Sequence, residues 1–565
     1  MPRLSRPVES LRDRYDAVVI GSGYGGGIAA SRLARAGRRV CVLERGKEMW
    51  PGEYPATPDA FLKELQTGLP GKRIGDPTAL YDYRVFKDIT VYMACGLGGT
   101  SIISSGASLR ADPRVFQDPR WPAGFREDPD LDLHYARAEA MLRPAPYPES
   151  EPPIRKLAAL ERSARHLNKP FRRVPVFTNF ERFPDGLNPV GVPQQPCIGC
   201  GDCESGCNYH AKNTVLMNYL PDAARHGAEI FTRVRVRHLE RRGDQWVVHG
   251  ERLDPGAKAA NVTEVAVGSG LIVLGAGTLG TAEILLRSAD KGLRLSGTLG
   301  RRFSGNGDMV GFSYNTDVAV NGIGFGKNRP EGRERVGPCV AGLVDAREGL
   351  PLEEGLILEE GGLPGAIGGF LPAAWAAAAL ATGVETDTSL RARVRRKLRE
   401  LDSKLRGPYA GAVRNTQTYL AVGHDDASGR MFLEDDRLVV SWPGVGRQPS
   451  FAKAGELMRL ATEALGGVYL QNPLWTELAG RNLITGHPMG GCVMADDARD
   501  GVVDSAGRVY SGDSGTAVHP GLWVMDAAVI PRSLGVNPGL TIAALAERSC
   551  HHLARDHGWT IPYGL

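Results

Sequence analysis

The sequence predicts an α/β fold: a doubly wound, Rossmann-type domain interrupted by an inserted α+β domain with an antiparallel sheet. The first observation is a βαβ pattern within about 30 residues. The apolar run Tyr15–Ile20 precedes a glycine loop, a helical pattern through Ile28–Ala34 and a second apolar run, Val40–Leu43. The second observation is the return of this pattern near the end of the chain, where the run Leu522–Met525 precedes a long helical segment, Leu540–Arg555.

The third observation concerns residues 301–480. Short alternating segments such as Met431–Leu433 and Arg437–Trp442 are typical of antiparallel strands. We therefore expect two discontinuous domains. The predicted boundaries assign 12–48, 90–112, 208–300 and 481–560 to a cofactor-binding domain, and 49–89, 113–207 and 301–480 to a substrate-binding cap domain that includes the cysteine-rich segment 197–207.

Bulk composition is that of a globular enzyme. The chain has 565 residues, of which 42% are hydrophobic and 23% charged, and a net charge of +4. Proteins that bind nucleic acid usually carry a concentrated basic stripe. The best candidate here, Arg391–Lys397, alternates with apolar residues and is followed by Glu400 and Asp402. We interpret it as a solvated helix face and expect no nucleic-acid partner.

The N-terminal residues 1–14 lack the apolar core of a secretory signal, and no run of 18 apolar residues occurs. The sequence therefore predicts a cytoplasmic protein without a transmembrane span. The longest apolar segment, Leu363–Val384, contains glycines, Pro364 and Pro372. Two interpretations stay open for it: a buried Ala-rich helix, or a lid that touches a membrane surface. Peripheral membrane contact is thus one of the predicted interactions.

The glycine loop has the spacing of a dinucleotide-binding motif. Gly21 permits a tight turn, Gly23 lets backbone N–H groups approach a pyrophosphate, and Gly26 lets the helix pack closely on the strand. Glu44 follows the second strand, where a carboxylate can accept hydrogen bonds from ribose hydroxyls. These features predict a bound dinucleotide without distinguishing FAD from NAD.

Motifs along the rest of the chain make that distinction through a resemblance. They are Gly98-Gly99-Thr100-Ser101, Val273–Thr281, His487–Cys492, Gly535–Ile542 and Ala543–Arg548. In this order they resemble the glucose–methanol–choline (GMC) oxidoreductases, and within them the cholesterol-oxidase branch. The resemblance implies an FAD-dependent enzyme that oxidises an alcohol.

The same resemblance implies positions for the parts of FAD. It assigns Gly21, Gly23 and Gly26 to the pyrophosphate, Glu44 to the adenosine ribose and Val236 to adenine. Asp526 would lie by the ribityl or phosphate region, and Gly275, Ala276 and Ala527 are also assigned to cofactor binding. The flavin ring would lie against Gly98, Gly99, Thr100, Ser101 and Ser104 and against the Asn537-Pro538 loop. Ser104 stands where many members carry asparagine.

His487 and Asn537 match the family's active-site pair. Oxidation of an alcohol removes the hydroxyl proton and moves a hydride to the flavin. A neutral imidazole can accept that proton, and a neighbouring amide can hydrogen-bond the same oxygen. The substrate is expected to be a small-molecule alcohol, with a sterol or long-chain alcohol as the leading choice. Reduced flavin would pass its electrons to O₂ or to an external acceptor.

The resemblance also raises double-bond isomerisation, for which cholesterol oxidases use a glutamate. The matching region, Leu363–Gly368, has no acid, and Glu359 and Glu360 upstream do not align with it. The sequence alone therefore gives no reason to expect isomerase activity. Two other hypotheses stay open: a redox-neutral FAD-containing lyase of the same family, and an iron–sulfur electron-transfer protein.

Four of the nine cysteines lie in one short segment. Cys197, Cys200, Cys203 and Cys207 have the spacing of a bacterial ferredoxin run, without the proline that often follows it. Three interpretations are open: an iron–sulfur cluster, a structural metal or disulfide pair, and free packed thiols. A cluster beside the flavin would favour a dehydrogenase, and its absence would favour an oxidase.

Overall fold

The predicted βαβ unit opens the fold. The computed structural model describes residues 2–69, 72–254, 263–327, 334–472, 475–476 and 480–564. The strand Arg14–Ile20 is followed by the helix Tyr24–Arg35 and the strand Val40–Leu43. Gly37, with φ +77°, lies in the turn after the helix, in a backbone conformation that favours glycine. The first strand is mostly buried and apolar, as expected for the centre of a parallel sheet.

The α-helices of the described residues are α1 Tyr24–Arg35, α2 Pro58–Lys63, α3 Pro113–Phe116, α4 Ala123–Arg126, α5 Leu131–Leu142, α6 Arg155–Leu167, α7 Tyr219–Arg225, α8 Gly277–Asp290, α9 Leu371–Thr382, α10 Leu390–Arg406, α11 Gly411–Arg414, α12 Pro449–Glu463 and α13 Gly539–Asp556.

The strands are β1 Arg14–Ile20, β2 Val40–Leu43, β3 Leu65–Leu69, β4 Lys72–Ile74, β5 Tyr81–Val85, β6 Ile89–Ala94, β7 Ala145–Pro146, β8 Phe171–Arg173, β9 Pro175–Val176, β10 Glu229–Phe231, β11 Val234–Arg242, β12 Gln245–Arg252, β13 Thr263–Leu274, β14 Met309–Tyr314, β15 Gly342–Asp345, β16 Ile357–Gly361, β17 Val384–Glu385, β18 Gln417–Val422, β19 Arg430–Glu434, β20 Arg437–Ser441, β21 Val468–Gln471, β22 Leu483–Thr485, β23 Arg508–Tyr510 and β24 Val518–Val524.

The first sheet is doubly wound. Its strands β10, β2, β1, β13 and β24 run parallel in that order. Strand β12 pairs antiparallel with β13, and β11 pairs antiparallel with β12. Parallel strands place their carboxyl ends at one edge, where ligands of such sheets bind. Behind the sheet, a buried ion pair joins α1 to α13, with Arg32 Nη2 2.6 Å from Glu547 Oε1.

The second large sheet is antiparallel, with the order β17, β21, β14, β18, β16, β15, β8. It is built mainly from residues after 308, as the alternating pattern predicts. A third sheet has five strands in the order β22, β6, β5, β3, β4, and none of its described strands pairs with a strand of the other two sheets. The predicted fold class is thus confirmed. The domain boundaries stay a prediction, and parts of them, such as 255–262 and 328–333, lie outside the described residues.

The residue patterns also predict one strand over Glu229–His238 and one helix over Thr214–His226, and both of these local predictions were wrong. The run Glu229–His238 is two strands, because Arg233 has φ +61° and breaks the extended backbone between β10 and β11. The single helix expected over Thr214–His226 is a 3₁₀ turn followed by α7. Asn218 separates them, and its side-chain oxygen accepts a hydrogen bond from the N–H of Tyr219.

One apolar segment lies largely at the surface. Within the described residues, Gly365–Thr382 alone is long and apolar enough to be a candidate membrane span by length and composition. Its first six residues form a 3₁₀ helix and the rest form α9. Leu371 and Trp375 of α9 are buried, whereas Leu380 is 84% exposed. Of the two interpretations left open for this segment, the buried Ala-rich helix is therefore wrong.

Candidate functional site

A cavity of ≈ 430 Å³ lies at the carboxyl edge of the parallel sheet. Its volume is within the range of small-molecule and cofactor sites, about 300–1,000 Å³. Most of the residues predicted as site residues line it. They are Gly21, Gly23, Glu44, Gly99, Thr100, Ser104, Val236, Gly275, Ala276, His487, Asp526, Ala527, Asn537 and Pro538. One cavity therefore joins the dinucleotide motif to the predicted active-site pair, although hundreds of residues separate them.

Three glycine-containing turns pack against each other at one end of the cavity. A Cβ added to Gly21 would lie 2.4 Å from the carbonyl oxygen of Gly275, and one added to Gly25 would lie 1.8 Å from that of Met525. A Cβ on Gly99 would lie 2.7 Å from the Cα of Gly23. Glycine at these positions thus allows the close packing of the turns, which form a cradle at this end of the cavity. The first turn of α1, whose N-cap is Gly23, presents unpaired N–H groups of the kind that bind phosphate.

Three predicted residues do not line the cavity. Gly26 instead packs against β1 and its turn, since an added Cβ would lie 2.0 Å from the carbonyl oxygen of Gly21. Gly98, with φ +108°, forms the turn before Gly99. The hydroxyl of Ser101 donates to the carbonyl of Gly98 at 2.6 Å and accepts from the N–H of Val215 at 3.1 Å. Their direct contact with a cofactor stays a prediction.

Two buried carboxylates fix the loops of the cradle. Glu44 accepts hydrogen bonds from the N–H and hydroxyl of Ser22 and from the N–H of Gly46. Asp526 accepts from the N–H of Gly277 at 2.9 Å and the hydroxyl of Thr281 at 2.5 Å. Burial raises the pKa of Asp526 to about 6. Both side chains reach the cavity from defined positions, which suits the fixed recognition of a ribose or ribityl chain.

His487 is held by a residue that the sequence analysis missed. Its Nδ1 lies 2.8 Å from Oδ1 of Asp308, and both residues line the cavity. The other oxygen of Asp308 accepts from the hydroxyl of Thr485 at 2.8 Å. A carboxylate at Nδ1 favours the tautomer in which Nδ1 carries the proton and Nε2 keeps its lone pair. The imidazole can therefore act as a base through Nε2.

Asn537 is hydrogen-bonded to Glu359, a second residue to which the sequence alone assigned no role in the active site. Its Nδ2 donates to Oε2 of Glu359 at 3.1 Å. The amide oxygen of Asn537 and Oε1 of Glu359 are buried without a hydrogen-bond partner among the described residues. Unpaired buried polar atoms are costly, and here one of them belongs to a cavity-lining amide. This observation fits a site that binds a polar group of a ligand.

Carboxylates surround the imidazole. Burial alone would lower the pKa of His487, but Asp308, Glu359 and Glu204 raise it above its ordinary value. Burial raises the pKa of Glu359 to about 7, against the opposing effect of Asn537 and His487. Glu204 comes from the cysteine-rich segment, lines the cavity, and accepts a hydrogen bond from the thiol of Cys339 at 3.3 Å. Negative charge here stabilises an imidazolium formed by proton abstraction.

The four clustered cysteines do not form a ligand set. Within the described ranges, no group of three or more His, Cys, Asp or Glu side chains is placed to hold a metal ion. The Cys197 sulfur accepts a hydrogen bond from the N–H of Gly199, and the Cys203 sulfur accepts one from the N–H of Cys339. Burial raises the pKa of Cys203 to about 11, and that of Cys200 well above its ordinary value. The structure therefore does not support the iron–sulfur interpretation, in which Cys207 would complete the set.

Family models described as GMC oxidoreductase match residues 25–304 and 454–546 of this chain. A cholesterol oxidase of Mycobacterium tuberculosis is 28% identical over 95% of this chain and 91% of its own length. A cholesterol oxidase of Acinetobacter baumannii is 25% identical over 96% of this chain and 95% of its own. A long-chain-alcohol oxidase of Arabidopsis thaliana is 25% identical over 95% of this chain and 66% of its own.

Solved structures show the same architecture at low identity. A pyridoxine 4-oxidase from Mesorbium loti superposes with a TM-score of 0.59 at 17% identity, covering 96% of this chain and 99% of that one. A fungal aryl-alcohol oxidase superposes with a TM-score of 0.59 at 16% identity, covering 97% and 100%. At these identities the likeness concerns the fold alone.

Proposed function

The chain belongs to the GMC oxidoreductase family of FAD-dependent alcohol oxidoreductases, and we propose that it oxidises a hydrophobic alcohol to a carbonyl compound with His487 as the base. The observation that carries this proposal is the 2.8 Å contact between Nδ1 of His487 and Asp308, in the cavity that also contains the glycine cradle. The contact orients the imidazole and leaves Nε2 free to accept the hydroxyl proton.

Each polar residue has a distinct task in this proposal. The cradle of Gly21, Gly23 and Gly275 would hold the FAD, which supplies the hydride acceptor when it is bound. His487 accepts the proton of the substrate hydroxyl, and Asp308 stabilises the resulting imidazolium. The amide of Asn537, whose orientation is fixed by Glu359, hydrogen-bonds the substrate oxygen. Together they place the carbinol hydrogen toward the cofactor.

Two observations support a hydrophobic substrate. Apolar side chains from the antiparallel sheet, the five-stranded sheet and neighbouring loops line the cavity that contains His487; they include Met93, Ile103, Phe177, Val310, Leu420 and Ile484. Removing such surface from water is favourable by about 25 cal/mol per Å². The names of the relatives, cholesterol oxidase and long-chain-alcohol oxidase, agree with this class. We propose O₂ as the electron acceptor, because these relatives are named oxidases.

Product analysis tests this function. FAD-loaded enzyme would be incubated in air with a sterol, a long-chain primary alcohol and a sugar, and carbonyl product and H₂O₂ would be measured for each. We expect equal amounts of carbonyl product and H₂O₂ from the sterol or the long-chain alcohol and neither from the sugar. Cleavage of an alcohol into a carbonyl compound and a second fragment, without H₂O₂ or any reduced acceptor, would support the redox-neutral lyase instead.

Asp308→Asn is expected to change the pH dependence of flavin reduction. The base must be unprotonated, so the rate rises with pH through the pKa of His487. The carboxylate of Asp308 raises that pKa, so its removal is expected to move the rise to lower pH. The plateau rate should fall by about 10²-fold, because general-base catalysis contributes about 10²–10⁴-fold.

Rapid anaerobic mixing across a pH series would measure this change. Asp497→Asn, at a surface aspartate that binds Arg499, is the matched control and should leave the profile unchanged. An Asp308→Asn profile that coincides with that of the wild type would disprove the assigned role of Asp308.

The position of Glu359 favours a second activity. A 3-oxo product with a β,γ double bond has an acidic proton between the two groups, and a carboxyl with a pKa of about 7 can remove it and return it at a new carbon. The carboxyl of Glu359 is bonded to the Asn537 amide, which would hold the product oxygen. We therefore propose that, with a β,γ-unsaturated sterol, oxidation is followed by isomerisation to the conjugated ketone.

Glu359→Gln is expected to separate the two steps. Glutamine keeps an oxygen that can accept from Asn537 Nδ2 but cannot carry the proton. We expect alcohol oxidation within about tenfold of the wild-type rate and at least about 10²-fold slower isomerisation. Chromatography of products from a β,γ-unsaturated sterol would measure both. A variant that still forms the conjugated ketone at the wild-type rate would exclude Glu359 as the group that moves the proton.

A further inference from the structure

Helix α10, Leu390–Arg406, carries an unusual apolar stripe on its outer face. Its five members are strongly exposed: Leu390 77%, Val394 50%, Leu398 62%, Leu401 54% and Leu405 77%. At about 100° per residue these side chains fall within an arc of about 80°. The buried residues of α10 are Ala392, Arg396 and Ser403, which fall on the opposite side of the helix by the same rule. The stripe therefore points directly away from the protein.

Basic side chains border this stripe on both sides. The helical spacing places Arg391, Arg395 and Arg406 along one border and Arg393, Lys397 and Lys404 along the other. The helix holds eight basic and two acidic residues, a net charge of +6. Neighbouring carboxylates of Asp317, Glu385 and Asp387 pair with or lie near these arginines, but the surface keeps an excess of positive charge.

Helix α9 extends the apolar surface. It contacts α10, and its exposed side chains include Leu380 at 84%. Phe370 just before it is 51% exposed and Val384 just after it is 47% exposed. Monomeric proteins rarely expose contiguous apolar surface of this kind without a partner.

The combination of charge and apolar side chains decides which partner fits. A second copy of the chain that packed its stripe against this one would bring two helices of charge +6 together, which is unfavourable. An anionic bilayer satisfies both features, since its acyl region accepts the leucines and its headgroups accept the arginines and lysines. A helix with a basic polar face and a leucine face is typical of segments that lie in a membrane interface.

We propose that α10, together with α9, is a docking surface for a bilayer that contains anionic lipid. Helix α10 lies parallel to the bilayer with its stripe inserted and its basic borders at the headgroups. This inference rests on exposed surface and charge, and it holds whichever alcohol the enzyme oxidises.

Sedimentation with lipid vesicles tests the proposal. FAD-loaded enzyme would be mixed with phosphatidylcholine vesicles that contain or lack phosphatidylglycerol, and the bound fraction measured. We expect binding to the vesicles with phosphatidylglycerol, weaker binding without it, and loss of binding as salt is added. The double variant Leu398→Glu/Leu405→Glu should partition at least about tenfold less, because two exposed leucines no longer enter the bilayer.

The matched control is Leu133→Glu, at a leucine 45% exposed on α5. It should bind vesicles as the wild type does, and flavin absorbance should show that each variant keeps its cofactor. The proposal fails if wild-type protein does not sediment with anionic vesicles, or if the double variant binds as well as the wild type. It also fails if neither protein binds vesicles and the wild type is a dimer that the double substitution converts to a monomer. In that case the partner would be a second copy of the chain.

Discussion

Replacement of His487 by alanine is expected to leave bound FAD in place and to lower the rate of flavin reduction by an alcohol by about 10²–10⁴-fold. The FAD cradle is formed by backbone at Gly21, Gly23 and Gly275 and does not depend on the imidazole. The proton of the substrate hydroxyl, in contrast, is proposed to pass to His487, which Asp308 orients at 2.8 Å. Binding and chemistry should therefore separate in this variant.

Stopped-flow absorbance under anaerobic conditions would measure the flavin reduction. His519→Ala is the matched control. Among the described residues, the imidazole of His519 makes one hydrogen bond, to the backbone carbonyl of Arg294. The control should reduce its flavin at the wild-type rate. Full flavin reduction at the wild-type rate in His487→Ala would refute the assignment of His487 as the base.

Gly26→Ala is expected to abolish FAD loading and to lower the free energy of unfolding by about 3 kcal/mol, the upper part of the range for overpacked interiors. A Cβ at this position would lie 2.0 Å from the carbonyl oxygen of Gly21 and 2.8 Å from its carbonyl carbon. Both atoms are backbone, so the turn that forms the cradle must move. The effect on FAD is thus indirect, since Gly26 does not line the cavity.

The FAD content of purified protein and its thermal unfolding would measure the two effects. Gly270→Ala, in strand β13, is the matched control, because an added Cβ meets no atom within 4 Å. The control should keep its FAD and its melting temperature. A Gly26→Ala protein with a full complement of FAD would show that the turn tolerates the displacement.

Local patterns predicted the elements that form the glycine cradle, because their signals are short-range. The apolar runs of β1 and β2 and the glycine spacing before α1 each lie within a few residues of one another. The long helix α13 was predicted almost to its ends, since its apolar periodicity continues without interruption from Gly539 to Asp556. In contrast, the break at Arg233 depends on a single backbone angle that no periodicity reveals.

The residues that support the active-site pair could not be predicted in this way. Asp308 lies 179 positions from His487, and Glu359 lies 178 positions from Asn537. Their contacts arise because the antiparallel sheet places the start of β14 beside His487 and the middle of β16 beside Asn537. The ferredoxin-like spacing of the cysteines likewise indicated only their order along the chain and not where their side chains lie in the fold. In the fold one of the intervening residues, Glu204, reaches the cavity.

Anaerobic mixing of FAD-loaded wild-type enzyme with a sterol or long-chain alcohol is the most direct test of the proposed chemistry. The alcohol would be used both unlabelled and with deuterium on the carbinol carbon, and the absorbance of oxidised flavin followed. We predict that the flavin is reduced by the unlabelled alcohol and more slowly by the deuterated one, because the C–H bond breaks in that step. A flavin that stays oxidised with every alcohol tested would contradict the proposal.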